Sequence, residues 1–260
     1  MADTLALDIF EHLWFDRSVS NMRLSTRLAI EICFIWMFLV IVLLTIGTFT
    51  DPALETPVAR AMTDMIWGLV LVWVVGGGLL MLRLRDMVRR EVAKIRLDRR
   101  LMFFLFAAGL SLSEEAVTVG MTNLAPVFGV SIGQAYITAS SDYFTVVAFH
   151  SVVVFLPMFL VWAFLLSKYS FQPNTILLLF GLTGLLAETG TFGPQNLIAG
   201  GLWILVYGLM VYLPAYSFTP TALKKPGIAQ YLLGVLGPLA AAIPVALLVV
   251  VLFHHPAIEF

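Results

Sequence analysis

Glu31, Glu114, Glu115, His150 and Glu188 are among the ionisable side chains that fall inside long apolar stretches of this 260-residue chain. A charge near the centre of a bilayer costs about 2.5–3.5 kcal/mol even on lenient scales, so such residues mark functional sites by default. Glu31 lies four residues after Arg27 and within a turn of the start of its stretch, where an interfacial ion pair accounts for it. The other four have no such account. Adjacent carboxyl groups can bind a cation or share a proton. With an imidazole they could hold a divalent metal ion, Glu114, His150 and Glu188 being the candidate ligands. One Glu could also act as general base toward a water.

Depth brings these residues to one level. Glu114 lies 14 residues beyond Arg100, and Glu188 lies 14 residues beyond Asn174; each is about 21 Å along its helix at 1.5 Å per residue. His150 is eight residues past Asp142, about 12 Å in from the opposite face and so about 18 Å from the first across a core of about 30 Å. Ser111, Glu115, Thr118 and Thr122 follow i, i+4, i+7, i+11 spacing and share one helix face. A stripe of this kind belongs in a bundle interior.

An internal repeat is expected around them. LFAAGLSLSE (105–114) aligns with LFGLTGLLAE (179–188) at an offset of 74, and VFLPMF (154–159) matches VYLPAY (211–216). His150 then corresponds to Tyr207, seven residues before a proline in each case. Beyond the glutamates both segments carry Gly, Thr and Pro, and an Asn-Leu pair, Asn123-Leu124 and Asn196-Leu197. Breaks at corresponding points of two membrane repeats point to a binding site. The candidate set for substrate or ion is therefore Glu114, Glu115, His150, Glu188, Thr118, Asn123, Tyr207 and Asn196.

The elements that position this set follow from composition. The chain is 60% apolar and 12% charged, with a mean hydropathy of +0.97, which excludes a soluble or disordered protein. Seven stretches, roughly 29–49, 62–82, 101–124, 143–166, 174–193, 198–217 and 229–253, are long enough to cross a bilayer. The expectation is an all-α polytopic bundle of about seven transmembrane helices (29–253), with two helical hairpins related as repeats. Residues 1–28 read as an amphipathic interfacial segment without a signal-peptide pattern, 83–100 as a basic connector, and 254–260 as a short tail. Of 15 Lys and Arg residues only Arg60 falls on the outer side if the N-terminus is cytoplasmic, which sets the orientation in a plasma (inner) membrane with the C-terminus outside. The connector RLRDMVRREVAKIRLDRR carries an apolar stripe of Leu84, Val88, Val92 and Ile95 and is expected to lie on anionic lipid.

Other chemistries are excluded. A net charge of -1 gives no pull toward nucleic acid, and Cys33 alone makes no disulfide or cysteine-based zinc site. No P-loop, Rossmann, HExxH or GxSxG pattern is present. No span carries a lysine for a retinal Schiff base, and only one histidine lies in a span. The Glu114-Glu115 pair with His150 on another helix resembles the intramembrane glutamate proteases of the CAAX-processing type, and the resemblance implies a glutamate-activated water. The chain departs from that pattern: no arginine follows the pair in EEAVTVG, and Glu188 stands where a second histidine motif would be. The sequence favours a small transporter or permease for an ion, a proton-coupled solute or a lipid-like molecule. The alternatives are an intramembrane hydrolase, metal- or glutamate-dependent, acting on a lipid or membrane peptide, and a structural membrane subunit; each is compatible with oligomers.

Overall fold

The computed structural model describes residues 24–52, 55–218 and 224–253. The expected interfacial segment (most of 1–28) and the tail 254–260 lie outside the described residues. Among the described residues nine α-helices follow in order: α1 (Leu24–Thr50), α2 (Pro57–Leu69), α3 (Gly78–Val92), α4 (Arg99–Asn123), α5 (Tyr143–Phe149), α6 (Val152–Lys168), α7 (Pro173–Phe192), α8 (Gly200–Ser217) and α9 (Ile228–Phe253). α2 and α3 are joined without interruption by a π-helical stretch, Val70–Gly77, into one long span. Among the described residues six helices are long and apolar enough to cross a membrane, and the pair α5–α6, bent by 46° at its break, adds a seventh if it is one broken span. The chain is an all-α, multi-pass integral membrane protein.

Helix starts follow local chemistry. Thr56 caps α2 by accepting from the Ala59 amide at 3.1 Å, with Pro57 opening the helix. Asp98 caps α4 through the amides of Arg100 and Leu101, 2.9 and 3.2 Å away. Asp142 caps α5 through the Thr145 amide at 3.0 Å, and the Thr145 hydroxyl and amide together hold its carboxyl below the usual carboxylate range. α7 opens on Pro173 and ends at Gly193, whose φ of 104° an L side chain rarely adopts. α4 and α7 begin 74 residues apart, the offset of the sequence repeat, and each carries its glutamate 15 residues after its start.

α8 is the hub. Of its most apolar stretch 78% is buried, against 28% for α1 and 22% for α9, whose outward Ile, Leu and Val side chains form the lipid-facing wall. α8 packs against α1, α3, α4 and α7, while α6 packs against α4 and α9. Without a hydrophobic drive between helices in lipid, close packing needs small residues. They are present where α8 meets its neighbours. A Cβ at Gly181 would overlap the Ile204 backbone, one at Gly184 the Tyr207 ring, and one at Gly201 the Cys33 carbonyl and the Met37 amide. Indoles add polar ties: Trp73 Nε1 donates to the Val206 carbonyl at 3.1 Å, and Trp36 Nε1 to the Ile198 carbonyl at 2.8 Å.

A Cβ at Gly76 or Gly77 would meet only the chain's own Leu71, Val72 and Trp73, and the glycines sit where π-helical turns give way to α3. The basic connector is helical as far as Val92, so α3 carries Arg83–Arg90 as a continuation of the span. The segment after α4 turns back through Gly129 and Gly133, both with positive φ. It buries Ala125, Val130 and Ala135 against Ala61 and Met65 of α2.

Candidate functional site

The polar face of α4 is buried as a unit: Ser111, Glu114, Glu115, Thr118 and Thr122 are each at most 5% exposed. Glu115 is held by three hydroxyls, from Thr118 on its own helix, Thr138 on the returning loop and Ser151 at the α5–α6 break. The Thr118 hydroxyl stands 3.2 Å from the carboxyl Oε2 and 3.1 Å from the Glu115 backbone carbonyl, so one proton serves two acceptors. Thr122 accepts from the Ile137 amide at 3.4 Å, and Asn123 Nδ2 donates to the Ser141 carbonyl at 2.8 Å. These bonds bring Thr138 back onto α4. The Tyr143 hydroxyl donates to the Leu112 carbonyl at 2.9 Å, fixing α5 on the same helix.

Glu188 on α7 accepts a hydrogen bond from the Tyr207 hydroxyl on α8. Glu114 lies within electrostatic reach of both Glu115 and Glu188, and Glu188 within reach of Glu115. Tyr207 is an electrostatic neighbour of all three. Three carboxyl groups from two helices, with one phenol on the hub helix among them, therefore lie within electrostatic reach of one another, Glu114 and Glu115 buried and Glu188 and Tyr207 half-buried. α4 and α7 each carry a glutamate 15 residues after the helix start, and α8 packs against both. The hydroxyl partners come from matching places: Tyr207 aligns with His150, and Ser151 is the residue after His150.

The remaining candidates are placed differently. His150 terminates α5, and its ring stacks on Phe192, the last residue of α7, with centroids 6.4 Å apart. Among the described residues no group of three His, Cys, Asp or Glu side chains is arranged to hold a metal ion. The expected metal triad of Glu114, His150 and Glu188 is thus not assembled: carboxyls gather on α4 and α7, while the imidazole is turned into an aromatic contact at the helix break. Asn196 Nδ2 donates to the Gly193 carbonyl at 3.4 Å and Asn123 pins the loop, so both asparagines tie turns together. Sequence reasoning missed Thr138, Ser151 and Trp203. The Trp203 ring lies 6.0 Å from that of Tyr207, one turn away on α8, and its buried Nε1 has no hydrogen-bond partner among the described residues. It also missed Arg85, which is 7% exposed, donates to the Tyr212 hydroxyl at 3.2 Å and lies over the Tyr216 ring.

The fold is that of a multi-pass helical membrane protein, with Glu114, Glu115 and Glu188 within electrostatic reach of one another. No family model, curated protein or solved structure matches this chain.

Proposed function

We propose that this chain is a small permease of the plasma (inner) membrane, N-terminus cytoplasmic, in which Glu114, Glu115, Glu188 and Tyr207 take up and release a proton that is carried or that drives a solute. The observation that supports this reading is the convergence of two buried carboxyl groups, Glu114 and Glu115, and the half-buried Glu188 in a region without resident cations. Between Arg100 and Lys224 the only Lys or Arg is Lys168, which closes α6 at its far end from Ser151. Three such groups cannot all be ionised in a low-dielectric interior without protons or a bound cation to balance them. Reversible exchange of that balancing charge is the chemistry transport needs. Trp203, with an unused donor beside Tyr207, supplies a polar contact for a solute. A structural subunit has no use for groups this costly to bury.

Proteoliposomes carrying purified protein test the reading. An imposed pH gradient, with and without Na⁺ or K⁺, should drive flux in wild type. Glu114→Gln and Glu188→Gln should fall to the level of empty vesicles while unfolding at unchanged temperature. Flux preserved in both variants overturns the proposal. One observation favours a second reading, a glutamate-dependent hydrolase acting on a lipid or membrane peptide: the Glu115 carboxyl is hydrogen-bonded to Ser151 at a helix break. That reading expects turnover without flux, abolished by Glu115→Gln.

A further inference from the structure

At the basic end of the bundle two neighbouring cavities, of about 360 and 260 Å³, share Arg99 and Phe218. The larger lies between the last turn of α3, the start of α4 and the end of α8, with Arg89, Arg99 and Ser217 among its lining. The smaller adds Arg100. We infer that these cavities form one discrete binding site for the headgroup and glycerol region of an anionic phospholipid.

Charge supports this first. The acidic side chains nearby are already engaged. Asp98 accepts from the amides that open α4, Glu91 is paired with Lys94, and Asp86 accepts from the Tyr216 hydroxyl at 2.6 Å. Arg89, Arg99 and Arg100 have no ion pair among the described residues. Planar guanidinium groups suit phosphate oxygens bidentately. A buried polar atom provides the second support: Ser217 is among the residues lining the larger cavity, and its Oγ has no hydrogen-bond partner among the described residues. An unsatisfied buried hydroxyl is uncommon without a ligand or water to meet it. The apolar lining decides between a lipid and a free phosphate. Val92, Met102 and Phe218 line the larger cavity, and Ile95 and Leu97 line it while remaining 54% and 41% exposed. A free phosphate makes no use of such a surface; glycerol and the first acyl carbons do. The position also fits, because α3, α4 and α8 all have a membrane-spanning terminus here. Diffuse attraction of a basic segment to anionic lipid needs no cavity; this site distinguishes particular arginines from their neighbours.

The test is lipid retention by the full chain, purified in detergent, delipidated, and titrated with phosphatidylglycerol or phosphatidylcholine under native mass spectrometry. One phosphatidylglycerol should bind in preference to phosphatidylcholine. Arg89→Gln/Arg99→Gln should weaken it about thirtyfold, taking each basic contact at its usual strength near a membrane surface, and Ser217→Ala should weaken it less. Arg83→Gln/Arg90→Gln removes two exposed arginines that line neither cavity and should leave binding unchanged. All variants are compared at equal unfolding temperature in lipid-free detergent, and Ser217→Ala carries the test if the double variant does not fold. Equal loss in the control pair would reduce the site to diffuse charge, and equal binding of phosphatidylcholine would remove its anionic character. Full competition by glycerol phosphate would assign the cavity to a free phosphate ligand; each of these outcomes overturns the inference. The site stands about 22 Å along α4 from Glu114, so its failure leaves the permease reading intact, and the reverse also holds.

Discussion

A carboxyl group buried beside two others depends on each hydroxyl that meets it, and Tyr207 is the clearest case. Its O–H is the donor to Glu188, and its ring packs edge-on against Phe155 with centroids 5.5 Å apart. Tyr207→Phe keeps the ring and removes the donor. Leaving a buried acceptor unpaired costs about 1–3 kcal/mol, so unfolding in detergent should be easier by that amount. In a Glu188→Leu background the same substitution should cost little, because its partner is already gone. A double-mutant cycle measures the difference, and a coupling energy near zero would show that the bond contributes nothing. Tyr207 was legible in the sequence through its alignment with His150, and the glutamates through the expense of burying them. Thr138 and Ser151 were not legible. Hydroxyls are common in membrane helices, and their tie to Glu115 depends on a loop and a helix break that sequence periodicity does not encode. The stacking of the His150 ring on Phe192 was not legible either, because it depends on where α7 ends relative to the α5–α6 break.

The apolar stretches and their order were legible because hydrophobic length is a crude and robust signal, and the starts of α4 and α7 are 74 residues apart, as in the sequence alignment. Where helices touch was not legible, since glycine serves several purposes. Gly181 and Gly109 show how the structure separates them. A Cβ at Gly181 would collide with the Ile204 backbone, which cannot swing aside, whereas Gly109 is on an open face with nothing within 4 Å. Gly181→Ala should destabilise by about 1–3 kcal/mol through overpacking. Gly109→Ala should be neutral or stabilising by up to about 1 kcal/mol from helix propensity. Thermal unfolding of the two variants checks the opposed signs. At the start of α5 the cap is titratable. Asp142 has its folded pKa lowered below the ordinary 3.8 by Thr145. Its contribution is therefore present at neutral pH and lost as pH falls through that lowered value. Amide exchange at Thr145 should stay protected at neutral pH and lose protection on strong acidification, and Asp142→Ala should lose it at every pH.

Across the whole molecule, charge is sorted by end. Arg83, Arg85, Arg89, Arg90, Lys94, Arg96, Arg99 and Arg100 cluster around the α3–α4 connection, with Lys168, Lys224 and Lys225 following α6 and α8. Arg60 opens α2 at the other end, occupied by Glu55 and the Phe49 ring. That sorting served as a topology signal in the sequence. In the structure part of it also acts in packing, since Arg85 is buried against Tyr212 and Tyr216, and a charge count cannot distinguish the two uses. The same asymmetry fixes which side the three-carboxyl cluster is nearer. With the basic end cytoplasmic, Glu114 and Glu188 stand about 22 Å from that face, in the outer half of a core about 30 Å thick. A proton would then enter by a short path from outside and leave by a long one. The chain has one cysteine, buried Cys33, so a Cys33→Ser background permits a direct measurement. In intact cells a membrane-impermeant maleimide should label Asp142→Cys and spare Lys94→Cys, and in inverted vesicles the pattern should reverse. The opposite result would place the basic end outside, against the charge rule, and would move the carboxyl cluster into the inner half of the membrane with its short path facing the cytoplasm.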